Sequence, residues 1–74
     1  MSTEYEKYLG KRIRQLRMDK GYTQEILAAK FQLHGCDMTR SAVAKIEASQ
    51  RYMKPDELKA LKEILNVTYD DILK

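Results

Sequence analysis

Residues 27–31 read LAAKF and residues 39–47 read TRSAVAKIE, and the relation between these two stretches decides the fold. In the first, Leu27 and Phe31 stand four apart, the spacing of one helix face, and supply a buried stripe. Thr23 is a good N-cap for this helix 2, with Tyr22 before it and Leu27 at the fourth helical position forming a hydrophobic staple. In the second, Thr39 starts a helix 3 that the pattern carries to Ala48, and Met38 with Val43 repeats the staple. Val43 and Ile46 give helix 3 a narrow apolar stripe, which leaves Arg40, Ser41 and Lys45 outward. A helix with so thin a buried edge presents its other side to something. Ala28 and Ala29 are small enough to let helix 3 approach helix 2 closely.

Working outward, Gln32 to Asp37 (QLHGCD) has no period and contains Gly35, which can take φ > 0, so it reads as the connection. Upstream, Thr3 with Glu6 forms a capping-box pattern, and Leu9, Ile13 and Leu16 recur at helical spacing until Gly21, which predicts helix 1 over about Glu4 to Lys20. Downstream, Pro55 followed by Asp56 and Glu57 marks the start of helix 4, whose stripe is Leu58, Leu61 and Leu65 and whose end is Asn66 in a left-handed conformation. Thr68 then caps a short helix 5 with Asp71 at its third position, and Val67 and Ile72 form a third staple. The expectation is an all-α bundle of five short helices in one domain spanning residues 1–74. No repeat, linker or low-complexity tract interrupts it.

Composition narrows the function classes. A chain of 74 residues buries only about 60–65% of its unfolded surface, too little for a second core. Its single cysteine, Cys36, and single histidine, His34, can build neither a disulfide framework nor a metal site, so no cofactor is expected. The apolar runs are far shorter than the roughly 20 residues that cross a bilayer, and the opening MSTEYEKY has no signal-peptide core; the expected setting is cytoplasmic, away from membranes. An enzyme is disfavoured, because no nucleophile has a partner base, no glycine-rich phosphate loop is present and no carboxylates cluster among apolar residues. No small-molecule ligand is evident either. The net charge of +3 hides an asymmetry: residues 7–54 carry eleven Lys or Arg against four acids, while each end is net acidic. A basic centre with acidic ends points to a polyanionic partner on one face.

Three stretches, LGKRIRQLRMDKGYTQEILAAKF, TRSAVAKIEASQR and LKALKEILNVTYDDIL, together resemble the phage Cro and C1 repressor family, the XRE-like helix-turn-helix domains, from residue 9 to 73. The resemblance implies a lambda-repressor-like bundle in which helices 2 and 3 form the helix-turn-helix and bind double-stranded operator DNA, usually as a dimer. It implies that Gln24 sits against a phosphate, that Thr39, Arg40, Ser41 and Lys45 face bases or the nearby backbone, and that Arg17 pairs with Glu47. Beside it, the residues themselves place Tyr52, flanked by Arg51 and Lys54, within reach of phosphate contacts.

The chain departs from the family pattern twice. The family commonly passes from helix 2 to helix 3 with a glycine and an aliphatic residue, whereas Gln32 to Asp37 adds about five residues, a small entropic cost. Ile26, where the family is usually polar, is the expected cover for Leu33, His34 and Cys36. Ala48 and Ser49 stand where the family often has Asn-Gly, so helix 3 is expected to run past its usual end. Either change could re-aim helix 3.

The function expected is therefore sequence-specific binding of double-stranded DNA by a repressor-like transcription regulator, a homodimer on DNA, with Thr39 to Ala48 in the major groove. The rival is a protein-interaction module such as an antitoxin or adaptor on the same fold. Arg40, Ser41, Ala44 and Lys45 favour DNA, because a protein-binding helix normally exposes larger apolar residues.

Overall fold

The computed structural model describes residues 3–73, with side chains described from residue 7. Among the described residues five helices follow one another: α1 (Thr3–Asp19), α2 (Gln24–Leu33), α3 (Arg40–Glu47), α4 (Pro55–Leu65) and α5 (Tyr69–Leu73). The Thr3–Glu6 capping pattern lies outside the described side chains. Among the described residues no helix is long and apolar enough to cross a membrane.

The helix starts are set by local chemistry. Thr23 Oγ1 accepts the Ile26 amide at 3.1 Å, and Thr39 Oγ1 accepts the Ala42 amide at 3.0 Å, each satisfying a donor that the first helical turn leaves without a partner. At α5 the exchange is reciprocal, since the Asp71 amide donates to Thr68 Oγ1 and the Thr68 amide donates to Asp71 Oδ2, both at 3.0 Å. The staple residues Met38 and Val43 are both buried in the core, as are Leu27 and Ile72 from the other two staples. Ile13 and Leu16 of α1, Phe31 of α2, Ile46 of α3 and Leu61 and Leu65 of α4 complete that core.

The helix ends share one device, a left-handed residue at which the chain turns so that its own amide and the next reach back to the last-turn carbonyls. Gly21 (φ 74°), Gly35 (φ 80°), Ser49 (φ 61°) and Asn66 (φ 53°) close α1, α2, α3 and α4 in turn. Two of these ends differ from the sequence expectation. The connection expected over Gln32 to Asp37 begins later, because α2 continues through Leu33 and is closed by Gly35, with the Gly35 and Cys36 amides donating to the carbonyls of Gln32 and Phe31 at 3.0 Å. Gln32 and Leu33 are good helix formers, and the Gln32 side chain also holds the outgoing chain, its Nε2 donating to the Met38 carbonyl at 2.7 Å.

The second difference is at α3, which stops at Glu47 instead of running on. Ser49 takes the left-handed conformation that glycine favours, and the Gln50 amide donates to the Lys45 carbonyl at 2.8 Å. The expected cover by Ile26 is not formed either: Leu33 is 86% exposed and Ile26 43%. Cys36 does go inside, where burial and the nearby Asp56 and Glu57 carboxylates push its thiol pKa up. His34 stays exposed, 3.7 Å from Glu63.

Candidate nucleic-acid interface

α3 is amphipathic across its width. Val43 and Ile46 are buried on one side, while Arg40, Ser41 and Lys45 are exposed on the other, with Ala44 half-buried between them and Ala48 exposed beyond. Thr39 is exposed but its hydroxyl oxygen is already the cap acceptor, so toward an outside partner it offers its O–H as a donor. Arg40, Ser41 and Lys45 together offer a guanidinium fork, a hydroxyl and an ammonium, groups that read base edges or bind phosphates.

The position of α3 against α1 depends on one buried ion pair. Arg17 Nε donates to Glu47 Oε2 at 2.7 Å and Arg17 Nη2 to Glu47 Oε1 at 3.0 Å, a two-pronged contact between the last turns of α1 and α3. The third arm of the guanidinium, Nη1, donates to the Tyr22 carbonyl at 2.8 Å and so also ties down the α1–α2 turn. Arg17 is 8% and Glu47 9% exposed, so neither has much water to fall back on.

Gln24, the first residue of α2, is drawn into the same cluster: its Nε2 donates to Glu47 Oε1 at 3.1 Å. Its side-chain amide thus faces Glu47 in this structure, with the carbonyl oxygen and remaining N–H left for other partners. Around Gln24 the start of α2, Ala44 of α3 and Ala48 just beyond its end border an open cleft of about 610 Å³. Arg14 stands on the α1 side of that cleft. Arg14 is exposed, yet it lies three residues before Arg17 and so on the side of α1 that meets α3. That spacing was the signal available for it.

Arg51, Tyr52 and Lys54 are not among the residues bordering this cleft. The Arg51 guanidinium is engaged within the protein, donating to both Glu57 oxygens at 3.0 and 2.9 Å and to the Tyr52 carbonyl at 3.2 Å. It therefore closes the α3–α4 loop onto the first turn of α4 rather than extending as a free phosphate arm. Glu57 is buried and also accepts the Lys54 amide at 2.9 Å. The Arg51 hydrogen bonds hold the Glu57 carboxyl below its usual pKa, against the opposing effect of burial. Tyr52 and Arg51 border instead an apolar cavity of about 200 Å³ formed with Leu9, Ile13 and Ile46. Lys54 is exposed at the start of α4. Among the described residues no group of three or more His, Cys, Asp or Glu is placed to hold a metal ion.

A protein-family model described as helix-turn-helix matches residues 13–72, which is most of the chain. No curated protein and no solved structure matches it.

Proposed function

Because the chain belongs to the helix-turn-helix family of the Cro/C1 type, whose members are DNA-binding domains of transcription regulators and not enzymes, we propose that it reads a specific double-stranded DNA sequence by placing α3 in the major groove. The observation that carries this reading is the two-sidedness of α3: Val43 and Ile46 anchor it while Arg40, Ser41 and Lys45 remain exposed along one outer side. Arg40 is in the first turn, the end that reaches base edges in this docking geometry, and its fork fits guanine O6 and N7. Ser41 follows it in the same turn, and Lys45 lies one turn deeper on the side of Ser41. Thr39 serves the backbone near the same end.

Phosphates flank such a helix, and the cleft bordered by Gln24 and Arg14 is where the strand beside α3 would run. The start of α2 adds the partial positive charge of a helix N-terminus there. Lys54 and Tyr52 supply a second set of backbone contacts past the far end of α3, whereas Arg51 acts mainly as the internal partner of Glu57. The domain measures 31 × 23 × 22 Å, less than the roughly 34 Å of one DNA turn, so a two-fold operator would take two copies, one per half-site. A repressor-like role follows if such a dimer occludes a promoter. The expected setting is the cytoplasm.

One observation favours the alternative, a module that binds protein: Leu33 and Ile26 form an exposed apolar pair seven residues apart on α2. The exposed residues Arg40, Ser41 and Lys45 of α3, by contrast, are polar. Selection of duplexes from a random pool, followed by gel retardation across a salt series, decides between the two. Enrichment of a two-fold motif whose binding weakens steeply with salt supports DNA reading. Absence of retardation of every pooled duplex at low salt rejects it in favour of a protein partner.

A further inference from the structure

We infer that Gly10 is a positioning residue for base reading, its missing side chain setting the angle at which α3 is offered to DNA. The inference rests on the DNA-reading role proposed above. Gly10 sits inside α1, is buried, and is not one of the glycines with a positive φ, so backbone conformation does not require glycine there. Helix propensity argues against it, since alanine is the better helix former. What requires glycine is space. A Cβ on residue 10 would lie 2.5 Å from the Glu47 carbonyl oxygen, 3.0 Å from its carbon and 2.9 Å from Ser49 Oγ.

All three atoms belong to the end of α3, and two are main chain that cannot swing aside as a side chain can. Glu47 is thus held by α1 in two ways. Its main-chain carbonyl rests against Gly10, and its carboxylate is gripped by Arg17. Gly10 and Arg17 are seven residues apart on one face of α1, about 10 Å along the axis, so the two contacts fix the direction of α3 as well as its position. The base-facing residue Arg40 is at the opposite end of the same eight-residue helix, about 10 Å away.

A methyl group at residue 10 needs about 3.5 Å to the nearest atom, so the 2.5 Å approach must open by roughly 1 Å. With the carboxylate still held by Arg17, the displacement becomes a tilt. Recognition geometry tolerates only about 0.5 Å, so the loss falls on base discrimination. Attraction to phosphates, which tolerates looser geometry, is kept.

The test is Gly10→Ala together with Gly10→Ala/Ser49→Gly, the second giving the α3 end room and a residue suited to its left-handed turn. Each is measured against wild type on the selected duplex and on a scrambled one at matched salt, with circular dichroism melts alongside. The expected result is that at least the double variant remains helical and melts cooperatively. Its affinity for the selected duplex falls about tenfold or more, and that for the scrambled duplex changes by less than about twofold. Unchanged discrimination, equal losses on both duplexes, or failure of both variants to fold would each overturn the inference, the last by making Gly10 a stability residue alone. A wild type that binds both duplexes equally instead rejects the DNA-reading role itself, an outcome visible before either variant is measured.

Discussion

Truncating Arg17 to alanine removes the guanidinium that three acceptors share, and the structure allows the loss to be sized. Two hydrogen bonds to Glu47 and one to the Tyr22 carbonyl disappear, at 2.7, 3.0 and 2.8 Å. What remains is a buried carboxylate that accepts, among the described residues, from the neutral Gln24 side-chain amide at 3.1 Å. Breaking a buried pair on one side costs about 3–5 kcal/mol, chiefly because the surviving charge has lost its partner. A domain of this length is stable by only about 4–11 kcal/mol in total, so a large part of that margin is removed. Arg14→Ala, at an exposed position of the same helix, changes stability by no more than about 0.5 kcal/mol. Urea unfolding followed by circular dichroism measures both variants, and a common slope shows that the same transition is compared. The Arg17 variant should lose at least 3 kcal/mol, or melt at least about 12 °C lower. Equal midpoints for the two variants would refute the claim that this pair anchors α3 to α1.

Other predictions concern charge. The folded Glu57 carboxyl lies below its usual pKa of 4.5, so its contribution to stability is complete above that value and is lost as pH falls through the lower folded one. Urea midpoints taken from neutral pH down to about pH 3 should decline less steeply for Glu57→Gln than for wild type, and parallel declines would contradict this. Arg14→Ala should weaken binding to every duplex alike and lower the salt slope by about 0.9, whereas a loss confined to the selected sequence would make Arg14 a base reader.

Much of the architecture is legible in the sequence because helix starts are local events. Thr39 followed by Val43, and Thr68 followed by Asp71, announce themselves within five residues, and the structure forms the corresponding caps. Helix ends are less local. The end of α2 was obscured because Leu33 has an apolar side chain yet no place in the core, so its inclusion in the helix leaves no mark on the hydrophobic pattern. The end of α3 was misread because nothing about Ser49 itself favours a left-handed turn. Its Oγ lies close against α1 at Gly10, a contact between distant segments that no local pattern announces.

Among candidate site residues, the outward exposure of Arg40, Ser41 and Lys45 is legible because exclusion from a two-residue stripe is a matter of helical period. The internal engagement of Arg51 is not. Its pairing with Glu57 depends on the course of the loop between α3 and α4, which carries no period to read. The Arg17–Glu47 pair, thirty residues apart, came only through family resemblance, since nothing local connects the two positions.

The central claim is that α3 reads bases, and Arg40→Ala tests it most directly. Arg40 is exposed and outside the Val43–Ile46 stripe, so its removal should leave the fold and melting temperature essentially unchanged. Binding curves for the variant and wild type on the selected and scrambled duplexes, at one salt concentration, give the answer, with Lys62→Ala on α4 as a control. The account predicts that Arg40→Ala loses roughly 1–3 kcal/mol on the selected duplex, relaxes preference at one base pair per half-site and leaves the scrambled duplex little affected, while Lys62→Ala matches wild type. An equal loss on both duplexes would reduce Arg40 to a phosphate contact, and no loss on either would mean that α3 is not the helix that enters the groove.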